Sequence, residues 1–283
     1  MLRAAMAAAA VFALTVPAVA PAVARAADAQ LAAAVAGDQR SAAHKARDGA
    51  RNPVETLTFW GLKPNQTVIE LSPGSGYWTE ILAPYAKATG GTYVATAADL
   101  DNPSLSDAAK KGRAAFEARY ADEAKFGKVR YANFGPTSGA LGAPGSADMV
   151  ITARNIHNWA TQPAMLEKVL KDIHAVLKPG GVLAVEEHRS DPKPEDPKFA
   201  TGYMSEATVI AAIEKAGFKL QAKSEVNANA KDTKDHPFGV WTLPPVRRTA
   251  AFGQPDDPNF DRTKYDAIGE SDRMTLRFVK AAS

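Results

Sequence analysis

The chain has 283 residues, with 34 Lys and Arg, 31 Asp and Glu, and no cysteine. That length suits one sizeable α/β domain with decorations. Near-balanced charge without a Lys/Arg run excludes a nucleic-acid-binding signature, and the missing cysteines exclude disulfides, thiolate metal sites and Cys nucleophiles. Arg3 gives the N-terminus a short positive start, an apolar Ala/Val/Leu core follows, and Ala24-Arg25-Ala26 fits a small-x-small cleavage site. This is the pattern of a Sec-type secretory signal peptide over 1–26, with a periplasmic or secreted mature chain. Pro17, Pro21 and the short apolar core argue against an uncleaved anchor, so no membrane span is expected after cleavage. Cleavage removes Arg3 and Arg25 and no acid, leaving a net charge of +1. Residues 27–283 then form a single domain.

Asp28 to Gly49 is alanine-rich with mixed charge and predicts helix. Pro53 and Glu55 suit the first turn of the next helix, whose Leu57, Phe59, Trp60 and Leu62 face a core. Thr67 to Leu71 is a short β-branched apolar run, hence a buried strand. A Ser/Pro/Gly turn, Ser72 to Gly76, follows, and then a helix from Tyr77 with Ile81, Leu82 and Tyr85 on one face. Strand, glycine turn and helix hold nucleotide-like ligands in open α/β sheets, because glycine admits close approach and the helix start offers free N–H groups. Glu70 precedes the turn. A dinucleotide fold would need three spaced glycines, and only Gly74 and Gly76 are present. A tight turn without a ligand is the competing reading.

The segment Val68 to Thr79 resembles motif I of the class I S-adenosylmethionine-dependent methyltransferases, and most closely a bacterial subfamily of predicted exported methyltransferases whose turn carries Pro-Gly-x-Gly followed by Thr-Glu-Ile-Leu. Ser72 stands where the motif has its first glycine. The resemblance implies a three-layer, Rossmann-like α/β methyltransferase fold, with seven mostly parallel strands and the last antiparallel. It also implies S-adenosylmethionine (SAM) as cofactor, with Glu70, Ser72, Gly74, Gly76, Tyr77 and Trp78 around it. In such enzymes the helix before the first strand lids the pocket, so Arg47 and Arg51 are expected either to face a carboxylate or to be solvated charge.

Gly91 to Ala97 is the second strand, ending at Asp99. An acid there accepts hydrogen bonds from a ribose diol, with Asp101 as its competitor. Ser104 is expected to cap a helix reaching about Ala124. Val129 to Phe134 is the third strand, with Asn133 placed for an adenine edge. Asp148 to Ala153 is the fourth, followed by Arg154-Asn-Ile-His-Asn-Trp159. Here the resemblance covers Asn155, His157, Asn158 and Trp159 and implies methyl-group and acceptor contacts. His157 suits a general base, and a structural His is the alternative. A helix follows from Pro163, with His174 read as structural. Leu177-Lys-Pro-Gly-Gly181 turns into the fifth strand, Val182 to Glu186, and resembles the same fold.

Glu187-His188-Arg189 closes that strand. His157 and His188 are expected on adjacent strand ends, with His236 from a later insertion joining them. Their spacing matches no recognised metal pattern, so no metal is expected. Asp191 to Tyr203 is a proline-rich loop. Ser205 caps a helix ending at Gly217, Phe218 to Val226 is a sixth strand, and the alternation from Met274 to Val279 predicts a seventh. The insertion at about 227–271 is expected to cover the active-site mouth. The functional expectation is transfer of the SAM methyl group to a small-molecule acceptor. Asn155, His157 and His188 act on the acceptor, and Arg51, Trp159, Arg189 and His236 bind it. Two rivals stand beside it: a non-enzymatic envelope ligand-binding protein on the same fold, and a metal-dependent hydrolase built on His157, His188 and Glu187.

Overall fold

The computed structural model describes residues 28–192, 196 and 198–281. The expected signal peptide over 1–26 lies outside the described residues. The chain runs α1 (Ala29–Ala36), α2 (Ala42–Lys45), α3 (Asp48–Arg51), α4 (Pro53–Trp60), β1 (Thr67–Leu71), α5 (Thr79–Thr89), β2 (Thr92–Ala98), α6 (Asp107–Arg119), α7 (Glu123–Phe126) and β3 (Arg130–Phe134). It continues through β4 (Ala147–Ala153), α8 (Ile156–Ala160), α9 (Pro163–Val176), β5 (Leu177–His188), α10 (Glu206–Lys215), β6 (Phe218–Ser224), α11 (Thr263–Ile268) and β7 (Arg273–Lys280). A short 3-10 turn covers Gly239–Thr242.

The sheet has the order β3-β2-β1-β4-β5-β7-β6. β3 through β5 are parallel neighbours, and β7 lies antiparallel between β5 and β6. Strand direction thus follows the expected seven-stranded, three-layer α/β methyltransferase fold. The central strands are buried on both faces, as their near-continuous apolar runs require. One face carries Trp60, Trp78, Ile81, Tyr85 and Tyr93 under α1, α4 and α5. The other carries Val150, Leu183 and Leu276 under α9 and α10, which bring Val169, Ile173, Val209 and Ile213. The order reverses between β1 and β4, and open α/β sheets bind ligands at the carboxyl ends flanking such a switch.

Three expectations on element bounds are corrected. Asp28 to Gly49 is not one helix. Gly37 is extended and ends α1, and Ser41 caps α2 by accepting the His44 amide. The helix expected over Ser104 to Ala124 is two. Ser106, not Ser104, caps α6 through the Ala109 amide, and Asp122 starts α7 by accepting the amides of Ala124 and Lys125. β5 begins at Leu177, because that residue already pairs with Ala147 across the Lys178–Gly181 irregularity. No helix among the described residues is long and apolar enough to cross a membrane.

Candidate active site

The turn after β1 is held by backbone geometry. Ser72 takes a positive φ of 47° and its amide donates to Thr96 Oγ1 at 2.8 Å. The Gly76 amide donates to the Pro73 carbonyl at 2.9 Å. The two glycines serve different ends. Gly74, at φ 58°, has nothing within 4 Å of where a Cβ would stand and opens on a cavity. Gly76, at φ 86°, would push a Cβ to 1.8 Å from the buried Tyr120 hydroxyl, so its bareness serves packing.

The cavity holds about 230 Å³. Its walls come from Glu70 to Ser75, Tyr77 and Trp78 on one side and from the ends of β4 and β5 on the other. Arg51, Glu270 and Ser271 close a third side, and Trp241 with Leu243 to Val246 form the cover. Glu70 is 3% exposed and accepts hydrogen bonds from Thr79 Oγ1 at 2.9 Å and Tyr93 Oη at 2.5 Å. Burial pushes its carboxyl up to about 7, against the opposing pull of these two donors.

The N-terminal segment brings arginines over the turn. Tyr77 donates its hydroxyl to Asp48, which also pairs with Arg40 at 2.6 Å. The Arg51 guanidinium lies 4.5 Å above the Tyr77 ring and pairs with Glu270 at 2.9 Å. Burial first, and Arg154 second, lower the Arg51 pKa to about 9. Glu270 is a focus: Arg47 and Arg273 reach it at 2.7 Å each, and Arg154 stands at 4.0 Å. Burial alone would raise its carboxyl, but Arg51, Arg273, Arg154 and Arg47 together hold it down at about 2.

At the end of β4, Arg154 turns into a left-handed conformation, φ 62°, and its amide donates to the Glu186 carbonyl at 2.7 Å. Asn155 Nδ2 donates to the carbonyls of Leu71 and Ala153 at 3.2 and 3.1 Å, bracing the ends of β1 and β4. His157, in the first turn of α8, meets Glu187 Oε1 through Nδ1 at 2.8 Å. Glu187 also accepts the amides of His157 and His188, at 3.1 and 2.7 Å. That carboxylate fixes the orientation of the His157 ring through Nδ1. His188 shares a 2.6 Å hydrogen bond through Nδ1 with Ser271, and the two imidazoles lie 5.3 Å apart. Burial, then the neighbouring His157, Arg154, Arg273 and Arg51, push His188 well below the usual histidine range, so it is neutral at pH 7.

His157, Glu187 and His188 offer ligand atoms within 4.8 Å of one another, a grouping compatible with a metal ion. In the arrangement seen, both Glu187 oxygens are engaged by His157 and backbone amides.

Of the residues predicted from sequence, Arg51, Glu70, Ser72, Gly74, Tyr77, Trp78, Asn155, His157 and His188 meet at this cavity. Gly76 stands behind the turn. Asp99 is buried past the end of β2 and accepts the Asp101 amide at 3.1 Å. Asn133 pairs in register with Ala97, takes a hydrogen bond from Arg113 and donates to Asp101 at 2.8 Å. Trp159 packs on Phe134 with ring centroids 5.7 Å apart. Arg189 is paired with Asp272 and Glu225, and His236 with Asp232 at 2.8 Å. Asp99, Asn133, Trp159, Arg189 and His236 do not line the cavity. Glu270 and Ser271 escaped the sequence reading. Their one local signal is the charged run Glu270-Ser-Asp-Arg273 just before an alternating strand.

A switch-point cavity on a 3-2-1-4-5-7-6 sheet, entered by a glycine turn, defines the class: a Rossmann-like methyltransferase fold. The family model of the methyltransferase domain matches residues 69–185, which span β1 through β5. Among curated proteins none matches the sequence. A candidate sarcosine dimethylglycine methyltransferase from Galdieria sulphuraria is similar in structure, with a TM-score of 0.50 at 12% identity over 84% of this chain and 87% of that one. A SAM-dependent methyltransferase from Aquifex aeolicus gives 0.47 at 20% identity over 64% and 87%. The 1,6-didemethyltoxoflavin-N1-methyltransferase of Burkholderia thailandensis, with 1,6-didemethyltoxoflavin and S-adenosylhomocysteine bound, gives 0.45 at 14% identity over 85% and 79%.

Proposed function

We propose that this protein is a SAM-dependent methyltransferase acting on a small-molecule acceptor. The observation that carries this is the open Gly74 turn facing two fixed imidazoles across one cavity at the sheet's switch point. The methyltransferase-domain match over 69–185 supports the cofactor. The residues at the turn fit it: Gly74 leaves room for a ligand, and Tyr77 and Trp78 line the same cavity and would wall the bound group. SAM bound there would supply an electrophilic methyl group, with a neutral thioether sulfur as the leaving group.

The protein's share is alignment and proton handling. Asn155 fixes the spacing of the β1 and β4 ends between which the reactants lie. His157 Nε2 takes the proton that the acceptor nucleophile loses as its new bond to carbon forms. Glu187, on Nδ1, stabilises the resulting imidazolium. Neutral His188 holds the acceptor by a hydrogen bond, its orientation set by Ser271. Trp241 and Leu243 to Val246 exclude water from above. The leader-like sequence of residues 1–26 supports a periplasmic or extracellular place of work.

Calorimetry with SAM and S-adenosylhomocysteine on protein recovered from the periplasm tests this reading. Micromolar binding of both, weakened by Asp99→Ala, is expected. One observation favours a second reading, a non-enzymatic ligand-binding protein: Asp99 and Asn133 do not line the cavity. A stable fold that binds neither compound would reject the first reading and favour the second.

A further inference from the structure

Four guanidiniums crowd the buried flank of the cavity. Arg51 ends α3, Arg47 precedes that helix, Arg154 follows β4 and Arg273 opens β7. The carboxylates among them are Glu270 and Glu186. Glu186 lies 3.0 Å from Arg273 Nε as an ion pair without hydrogen-bond geometry, so two carboxylates stand against four guanidiniums. Glu187 is turned to His157. Glu270 cannot satisfy all four. Arg51 Nη1 and Nη2, Arg47 Nη2 and Arg154 Nε are buried without a hydrogen-bond partner. The Arg51 side chain is 0% exposed, whereas Arg154 keeps 21% of its side-chain surface accessible. Both line the cavity.

Buried cations without partners are costly, and native proteins rarely leave guanidinium donors orphaned. A ligand that brings negative charge between Arg51 and Arg154 removes that cost. A planar acid suits the guanidinium fork, since each group can offer two parallel N–H bonds. SAM does not supply the missing charge. Its one carboxylate travels with an ammonium and a sulfonium, so it arrives with net positive charge and leaves the surplus uncancelled.

We infer that the methyl acceptor is itself an acid, whose carboxylate is held by Arg51 and Arg154 while its nucleophile faces His157 and His188. This rests on the methyltransferase reading for the word acceptor, but the acid site can be tested without it. Glu70, the other acid on the cavity wall, is engaged by Thr79 and Tyr93 and does not neutralise the arginines.

The experiment is calorimetry with paired probes of matched shape, acetate against acetamide and benzoate against benzamide, on the protein with and without saturating S-adenosylhomocysteine. At least one acid is expected to bind at least about tenfold more tightly than its amide, the scale of a charge-assisted contact. Arg154→Gln should remove that preference, Arg154→Lys should restore only part of it, and circular dichroism checks that both fold. Equal binding of acids and amides, or no binding of either acid, overturns the inference. So does a preference that survives Arg154→Gln. The cofactor's own carboxylate is the rival source. If it occupies this site, S-adenosylhomocysteine will displace the acid, and Arg154→Gln will weaken S-adenosylhomocysteine but not 5′-methylthioadenosine. That result also overturns the inference. Acid preference in a protein that never binds S-adenosylhomocysteine would sink the methyltransferase reading and leave the acid site standing.

Discussion

Two buried carboxylates face the same cavity and are displaced in opposite directions. Glu70, on the glycine-turn side, has only neutral hydroxyl partners, and burial pushes it up to about 7. Glu270, on the opposite side, is also buried, yet four arginines hold it down at about 2. Burial is common to both. The difference is the neighbourhood, which decides whether the same side chain is a near-neutral wall or a fixed anion. The first side is built of backbone and hydroxyls over one continuous stretch. The second is assembled by charge from three separate segments, Arg47 to Arg51, Arg154, and Glu270 to Arg273.

The largest effect expected from breaking this comparison is at Glu270. Glu270→Gln removes the counter-charge of a buried arginine cluster and should cost about 3–5 kcal/mol in urea unfolding at pH 7. Its pH dependence has a definite sign. The native pKa lies below the unfolded value near 4.5, so the carboxylate's contribution is present above that pH and is lost as pH falls toward about 2. The variant's stability profile should lack that acid limb, and an unchanged limb would refute the assignment.

Glu70 should run the other way. Its native pKa lies above the unfolded value, so its favourable contribution is full below about 4.5 and is lost as pH rises through about 7. Relative to the wild type, Glu70→Gln should gain about 3 kcal/mol between pH 4.5 and pH 8, from 1.36 kcal/mol per unit. Parallel profiles for the two proteins would show that Glu70 titrates normally.

The two glycines sharpen the contrast within the turn. Gly76→Ala meets the Tyr120 hydroxyl and a strained φ, and should destabilise by about 3 kcal/mol. Gly74→Ala meets open space, so its stability cost should be about 1 kcal/mol of backbone strain. Its larger effect should be on S-adenosylhomocysteine affinity. Equal stability losses at both positions would contradict the division of roles. The smallest effect, under about 1 kcal/mol, is expected for Lys178→Ala, which breaks the solvent-facing pair with Asp148 seen at 2.6 Å. Thermal unfolding suffices to read it.

What could be read from sequence follows the same division. The strand, glycine turn and helix from Thr67 to Thr89 are local, so β-branched composition and turn residues announce them. The meeting of His157, just past β4, with His188, at the end of β5, was also legible, because parallel order places carboxyl ends together. The arginine focus was not. Glu270 lies 219 positions from Arg51 and 223 from Arg47, and no periodicity encodes such a meeting. Trp159 and His236 lie off the cavity for a related reason. Residue type suggests chemistry, but Phe134 and Asp232 decide where those rings point, and both are set by tertiary packing. Ser106 in place of Ser104 as a helix cap is a smaller case, in which two adjacent candidates compete and Asn102 already accepts the Ser104 amide.

The placement of β7 between β5 and β6 bears on how the chain matures. Its antiparallel entry delivers Glu270 and Ser271 to the mouth only when the last eight-residue strand has been threaded home. The same segment carries the Ser271 hydroxyl that orients His188 and the Glu270 carboxylate that meets Arg47 and Arg51. The strand that joins β5 to β6 and the counter-charge of the arginine cluster are therefore one continuous piece of chain, and the sheet's edge and the cavity's charge balance stand or fall together.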